Sequence, residues 1–152
     1  MTALSAAARR ATRQRHLVSR GSYPVGTAAV IYQNGLVALN VTSKRAVAAS
    51  SVASRRFLGL ATETRTGNTG GTVRVEVEYG HEALFAAGTG LTSGMVDSEA
   101  WVKDDNTVTY QTGAGTAALR VSVGMITEFA SATTCWVWLR QSARAATGVA
   151  SG

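Results

Sequence analysis

A chain of 152 residues that is 45% hydrophobic, only 16% charged, and carries 16 glycines against one proline has apolar material for one compact domain and suits strands and turns better than a helical bundle. Its single cysteine, Cys135, excludes an internal disulfide and a Cys-rich metal site, and no run approaches the roughly 18 apolar residues of a membrane-spanning helix. The net charge of +6 is unevenly placed: residues 1–62 hold nine Lys or Arg and no acid, whereas residues 63–152 hold six against nine acids, a distribution that fits an anionic partner without choosing between nucleic acid, membrane surface and acidic protein.

Residues 1–22 read as a basic N-terminal arm, with Arg9, Arg10, Arg13, Arg15 and Arg20 and no carboxylate. The absence of Gly and Pro before Gly21 allows a short helix over Leu4–Leu17, which is marginal in water without a partner. The arm is therefore expected to be extended or short-helical and to rest against something. A β-domain follows over residues 23–140. In "VIYQNGLVALN", Asn34-Gly35 between two β-prone runs predicts a hairpin with strands at Ala28–Gln33 and Leu36–Asn40. "FLGLA", residues 57–61, reads as a buried strand. "TVRVEVEY" alternates strictly, placing Val73, Val75, Val77 and Tyr79 on one face of a half-buried antiparallel strand and Arg74, Glu76 and Glu78 on the other.

The glycine-rich stretch Gly88–Gly94 lacks phosphate-loop spacing and reads as a connection. Next, "EAWVKDDNTVTY" predicts a hairpin about Asp104, Asp105 and Asn106. "LRVSVGMITEF" alternates through Leu119, Val121, Val123 and Met125. "TCWVWLR" closes the domain with Trp136 and Trp138 on one strand face, and residues 141–152 form a small-residue tail. The halves rhyme: residues 25–80 and 95–140 each give a hairpin, a strand with a central glycine (Gly59, Gly124) and a return strand. The expected fold class is all-β, a small barrel or sandwich of two similar β-units closing on one core.

Chemistry-bearing residues are sparse. His16 and His81 have no companion at ligand spacing and are expected to be exposed, and Cys135 in an apolar strand reads as a buried packing residue. Turn chemistry explains Asp104, Asp105 and Asn106 better than a cation loop does. No catalytic residue, metal ligand or cofactor site is assigned, and the chain reads as a non-enzyme. Nucleic acid ranks second among partners, because the tryptophans lie in the less basic half and are not interleaved with the arginines. Trp136 and Trp138 are candidate subunit contacts.

The succession "GTAAVIYQNGLVALN" (Gly26–Asn40), "FLGLATE" (Phe57–Glu63), "GTVRVEVEYG" (Gly71–Gly80), "GLTSGMVDSEAWVKDDNTVTY" (Gly90–Tyr110) and "LRVSVGMI" (Leu119–Ile126) resembles the head decoration, or cement, proteins of tailed bacteriophages. The resemblance spans about Gly26 to Leu139. It implies a non-enzymatic virion component made in the host cytoplasm. Such proteins are usually trimeric, bind the outer surface of the major capsid protein lattice and stabilise the head; no membrane and no cofactor are implied. On that reading Arg9, Arg10, Arg13, Arg15 and Arg20 are expected to be exposed capsid contacts whose removal leaves the melting temperature unchanged. The alternatives are a nucleic-acid-binding module using the arm, or another virion β-component such as a tail-tube or adaptor subunit.

Overall fold

In the computed structural model, which describes residues 3–6, 10–13, 18–52, 55–110 and 121–141, strands dominate. In chain order they are β1 (Thr12–Arg13), β2 (Ser19–Pro24), β3 (Val30–Ile31), β4 (Leu36–Asn40), β5 (Arg45–Ala48), β6 (Arg55–Ala61) and β7 (Arg65–Thr66). Then come β8 (Arg74–Tyr79), β9 (Glu82–Ala87), β10 (Glu99–Val102), β11 (Thr107–Thr109), β12 (Ser122–Ser131) and β13 (Thr134–Leu139). One 3-10 turn, Ser93–Met95, precedes β10. The protein is all-β, as its composition and alternating patterns predict.

Two five-stranded units share one topology. The first is the sheet β2-β8-β6-β4-β5; the second runs β9-β13-β12-β10-β11 and closes into a barrel because β11 pairs in parallel with β9. In each unit the second strand pairs with the third and the fourth, while the fifth lies between the fourth and the first. The first unit approaches the same closure through a single parallel bridge from Val25 to Ala46. The matching hydrogen bonds are Gly26 N to Ala46 O at 2.8 Å and Gly88 N to Val108 O at 2.7 Å. Repeat limits of 25–80 and 95–140 leave out the first strand of each unit, β2 and β9. Neither "SRGSYP" nor "EALFAA" carries a strict apolar alternation, and pairing with β8 and β13 is what recruits them. β2 also runs across the 22/23 junction, so arm and body are continuous there.

The two glycines of the rhyme mark equivalent β-bulges. In β6, Val37 pairs with Gly59 and Ala38 with Phe57, skipping Leu58; in β12, Ala100 pairs with Gly124 and Trp101 with Ser122, skipping Val123. Both glycines have positive φ, +153° and +143°. A Cβ at Gly59 would lie 2.6 Å from the Glu78 carbonyl oxygen, and one at Gly124 would overlap the Trp138 carbonyl, so only glycine fits. Each bulge reverses the alternation beyond it. Phe57 and Leu60 therefore share one face and Leu58 and Ala61 the other. In β12, Val123 and Ile126 point inward and Met125 points outward, against the inward position expected from strict alternation.

Two cores replace the single expected one. Val25, Ile31, Val37, Leu39, Ala46, Leu58, Ala61, Val75 and Val77 fill the first unit. The barrel interior holds, among others, Phe85, Val102, Val108, Val123, Ile126, Cys135, Val137 and Leu139. Leu36, Ala38, Phe57 and Leu60, from the back of β4 and β6, join this second cluster. β4 is accordingly buried on both faces and forms the wall between the cores. The Asn34-Gly35 turn forms, with Asn34 at φ +65° and Gly35 N donating to Tyr32 O, yet it does not join a hairpin. Ala28 has φ +58°, so the first strand shortens to Val30–Ile31; it pairs with β7, and β4 turns instead to β5 and β6.

Candidate functional site

The basic arm folds back onto the body as a strand. No helix forms over its described residues; β1 pairs with the first half of the β9 edge whose second half goes to β11. Leu84 N donates to Ala11 O at 3.1 Å, and Leu4 N donates to Asp105 Oδ1 at 2.8 Å, which fixes the arm at a second point. An unpaired barrel edge, rather than intrinsic helix propensity, decides its conformation.

Arg10 is the key residue of this clasp. Its Nε donates to Asn34 O (2.9 Å), Nη1 to Leu84 O (2.6 Å) and Nη2 to Asn106 Oδ1 (3.0 Å), while the guanidinium lies 4.1 Å from the Phe85 ring centroid. One side chain thus joins the turn before β4, strand β9 and the β10–β11 hairpin tip. Burial pulls its pKa down to about 10, and the nearby Asp105 carboxylate opposes that shift. Asp105 is itself raised, chiefly by burial. Arg13 donates to Glu82 Oε2 (2.6 Å) and Glu128 Oε2 (3.0 Å) and covers the Trp136 ring at 4.1 Å. Its hydrogen bond to Glu82 raises the guanidinium pKa further. Arg20 pairs with Glu78 at 2.9 Å and Glu76 at 3.8 Å.

Arg10 and, in part, Arg13 are therefore spent within the chain, contrary to the expectation of freely exposed contacts, whereas Arg20 stays exposed while pairing with the carboxylates of Glu76 and Glu78. Their carboxylate partners lie far along the sequence, which hid the pairing from any local reading. Arg9 and Arg15, like His16, lie outside the described residues.

Between the units lies a half-open cavity of about 240 Å³, lined by Arg10, Thr12, Asn34, Leu60, Ala61, Thr62, Glu78 and His81. His81 is fully buried, correcting its expected exposure. It occupies the link from β8 to β9, where Leu139 N donates to its carbonyl and Gly80 N donates to Leu139 O. A histidine next to a glutamate looks exposed in sequence; the packing of two units over one link buries it. The cavity walls carry both signs of charge, but the donors of Arg10 and the Glu78 carboxylate are already engaged within the fold.

The outward face of the barrel differs in character. Met125 and Trp138 form a cross-strand pair, 37% and 39% exposed, at the centre of a row across β10, β12, β13 and β9. Glu99, tied to Arg140 at 2.8 Å, flanks it on one side, and Glu82, tied to Arg13, flanks it on the other. Of the two tryptophans singled out by the sequence, Trp138 presents its ring and Trp136 is covered by Arg13. Cys135 on the opposite face of β13 is buried in the barrel, which pushes its thiol up to about 12. Among the described residues no three His, Cys, Asp or Glu side chains converge as a metal site, and no helix is long and apolar enough to cross a membrane. No family model and no curated protein matches the chain.

Proposed function

We propose that the protein is a non-catalytic structural component of tailed-phage heads that binds the outer surface of the major capsid protein lattice as an oligomer, with a trimer as the expected state. The order of sequence motifs from Gly26 to Leu139 suggests the class. The observation that supports a binding role most directly is the Met125–Trp138 pair, an apolar contact on the outside of a closed barrel with ion pairs at its rim. An aromatic anchor inside a polar rim is the usual anatomy of a protein interface. The clasped arm and the two back-to-back cores supply a rigid mount for it.

The test is co-sedimentation with undecorated, expanded, DNA-free heads, with light scattering for oligomeric state. Wild type should pellet with the heads. A Met125→Ser/Trp138→Ser variant should melt like wild type while its occupancy falls at least about tenfold, as expected on losing an interface anchor. Wild type that ignores heads and binds tail tubes or duplex DNA instead would overturn the reading, as would full occupancy by the variant.

A further inference from the structure

The two units carry opposite charge, and the excess on the first is gathered at one end of its sheet. Residues 19–81 contain seven Lys or Arg against three acids, whereas residues 82–141 contain three against six. Within the first unit Arg20 and Arg65 have carboxylate partners, and Arg74 donates to Ser22. Lys44, Arg45, Arg55 and Arg56 remain. Asn40 pairs with Arg45 on one side and Arg55 on the other, so adjacent strands bring these two cations to one face beside the β4–β5 turn, while Arg56, paired with Leu39, lies on the opposite face. Lys44 occupies that turn at φ +60°, its N–H donating to Asn40 O at 2.8 Å.

Among the described residues no carboxylate forms an ion pair with them. The Asn40 side-chain oxygen accepts from Thr42 N and Ser43 N, and Arg45 Nη1 reaches only neutral oxygens, Thr27 Oγ1 at 3.2 Å and Thr69 O at 3.4 Å. Arg55 Nε is buried with no hydrogen-bond partner. All nine carboxylates of the chain fall among the described residues. Seven face cations elsewhere: Glu63, Glu76, Glu78, Glu82, Glu99 and Glu128 in ion pairs, and Asp105 near Arg10. Asp104 accepts from Asn106 N and Thr107 N in its own turn, and Asp97 stands in the loop before β10. A second copy of this chain therefore has little free negative charge to offer.

We infer that the β4–β5 end of the first unit, with Lys44, Arg45 and Arg55, is a docking surface for an acidic face of another protein. Clustered cations are held at a cost that a partner's carboxylates offset, and a guanidinium donates to a carboxylate in paired geometry. A protein fits better than nucleic acid. No aromatic residue occurs between Val41 and Val52 to stack on a base. The inference concerns the charge of the partner and holds whether or not that partner is a phage head.

Binding of the full chain to poly-L-glutamate and to a duplex DNA oligomer, at low and at physiological salt, tests it. Wild type should bind poly-L-glutamate in a salt-sensitive way and more tightly than the duplex. Lys44→Gln/Arg45→Gln/Arg55→Gln should weaken poly-L-glutamate binding at least about tenfold. The pair Lys44→Gln/Arg55→Gln, which spares the Arg45 contacts to Thr27 and Thr69, should show the same direction if the triple variant is unstable. Arg65→Gln/Arg74→Gln, which removes two charges elsewhere on the same unit, should bind like wild type. Absence of wild-type binding, equal losses in the control and patch variants, or preference for the duplex through the patch would each overturn it.

Discussion

Gly124 shows how a single missing side chain sets the face of a strand. It is the point at which β12 bulges, and a Cβ there would enter the Trp138 carbonyl at a φ of +143°. Gly124→Ala should destabilise the fold by about 1–3 kcal/mol, measured by denaturant unfolding, and should quench the distinct solvent exposure of Trp138 only if the bulge is lost. Glu82 gives a pH-dependent counterpart. Burial alone would raise its carboxyl, but hydrogen bonds from Thr127 and Arg13 outweigh that and hold it below 4.5. A carboxyl held low in the folded state contributes stability above its unfolded value and loses it as pH falls through the folded value. Glu82→Gln should therefore be less stable than wild type at neutral pH and converge with it as pH drops below 4.5, in melts run across that range. Asp105, raised mainly by burial, contributes with the opposite sign: protonation favours the folded form, and that gain is lost as pH rises through its folded value.

At the scale of elements, β1 and the segment before it complete the barrel edge. Arg10 alone supplies three hydrogen bonds to two units, so Arg10→Gln should cost about 3 kcal/mol, and removal of residues 1–18 should cost at least as much. Thermal melts should place both below wild type by roughly 6–12 °C. Equal melting temperatures for wild type and Arg10→Gln would mean that the clasp is ornamental. The sequence made some elements plain and concealed others for identifiable reasons. The strict alternation of β8 and the Asp104–Asn106 turn of the β10–β11 hairpin are local signals, and both appear where expected. Met125 was misread because one inserted residue inverts a period of two. The strand at Thr12–Arg13 was invisible because its partner edge is 69 residues away at Glu82. His81 and the wall position of β4 depend on one unit packing against the other, which no window of one unit contains.

For the whole molecule, the shared wall couples the two units. Leu36, Ala38, Phe57 and Leu60 belong by chain to the first unit and by packing to the barrel core. Calorimetry should give one unfolding transition with matching calorimetric and van't Hoff enthalpies, and a fragment of residues 19–81 should fail to fold because it exposes that wall. Two separated transitions would refute the coupling. The clasp also has a consequence during synthesis. Arg13 leaves the ribosome 69 residues ahead of Glu82 and 115 ahead of Glu128. At ~5–20 residues per second, roughly 3–14 s pass before its first carboxylate exists and about 6–23 s before the second. Until Glu63 is made the nascent chain is a polycation with no internal counter-charge, beside ribosomal RNA, and the barrel edge that will order its beginning is made later still.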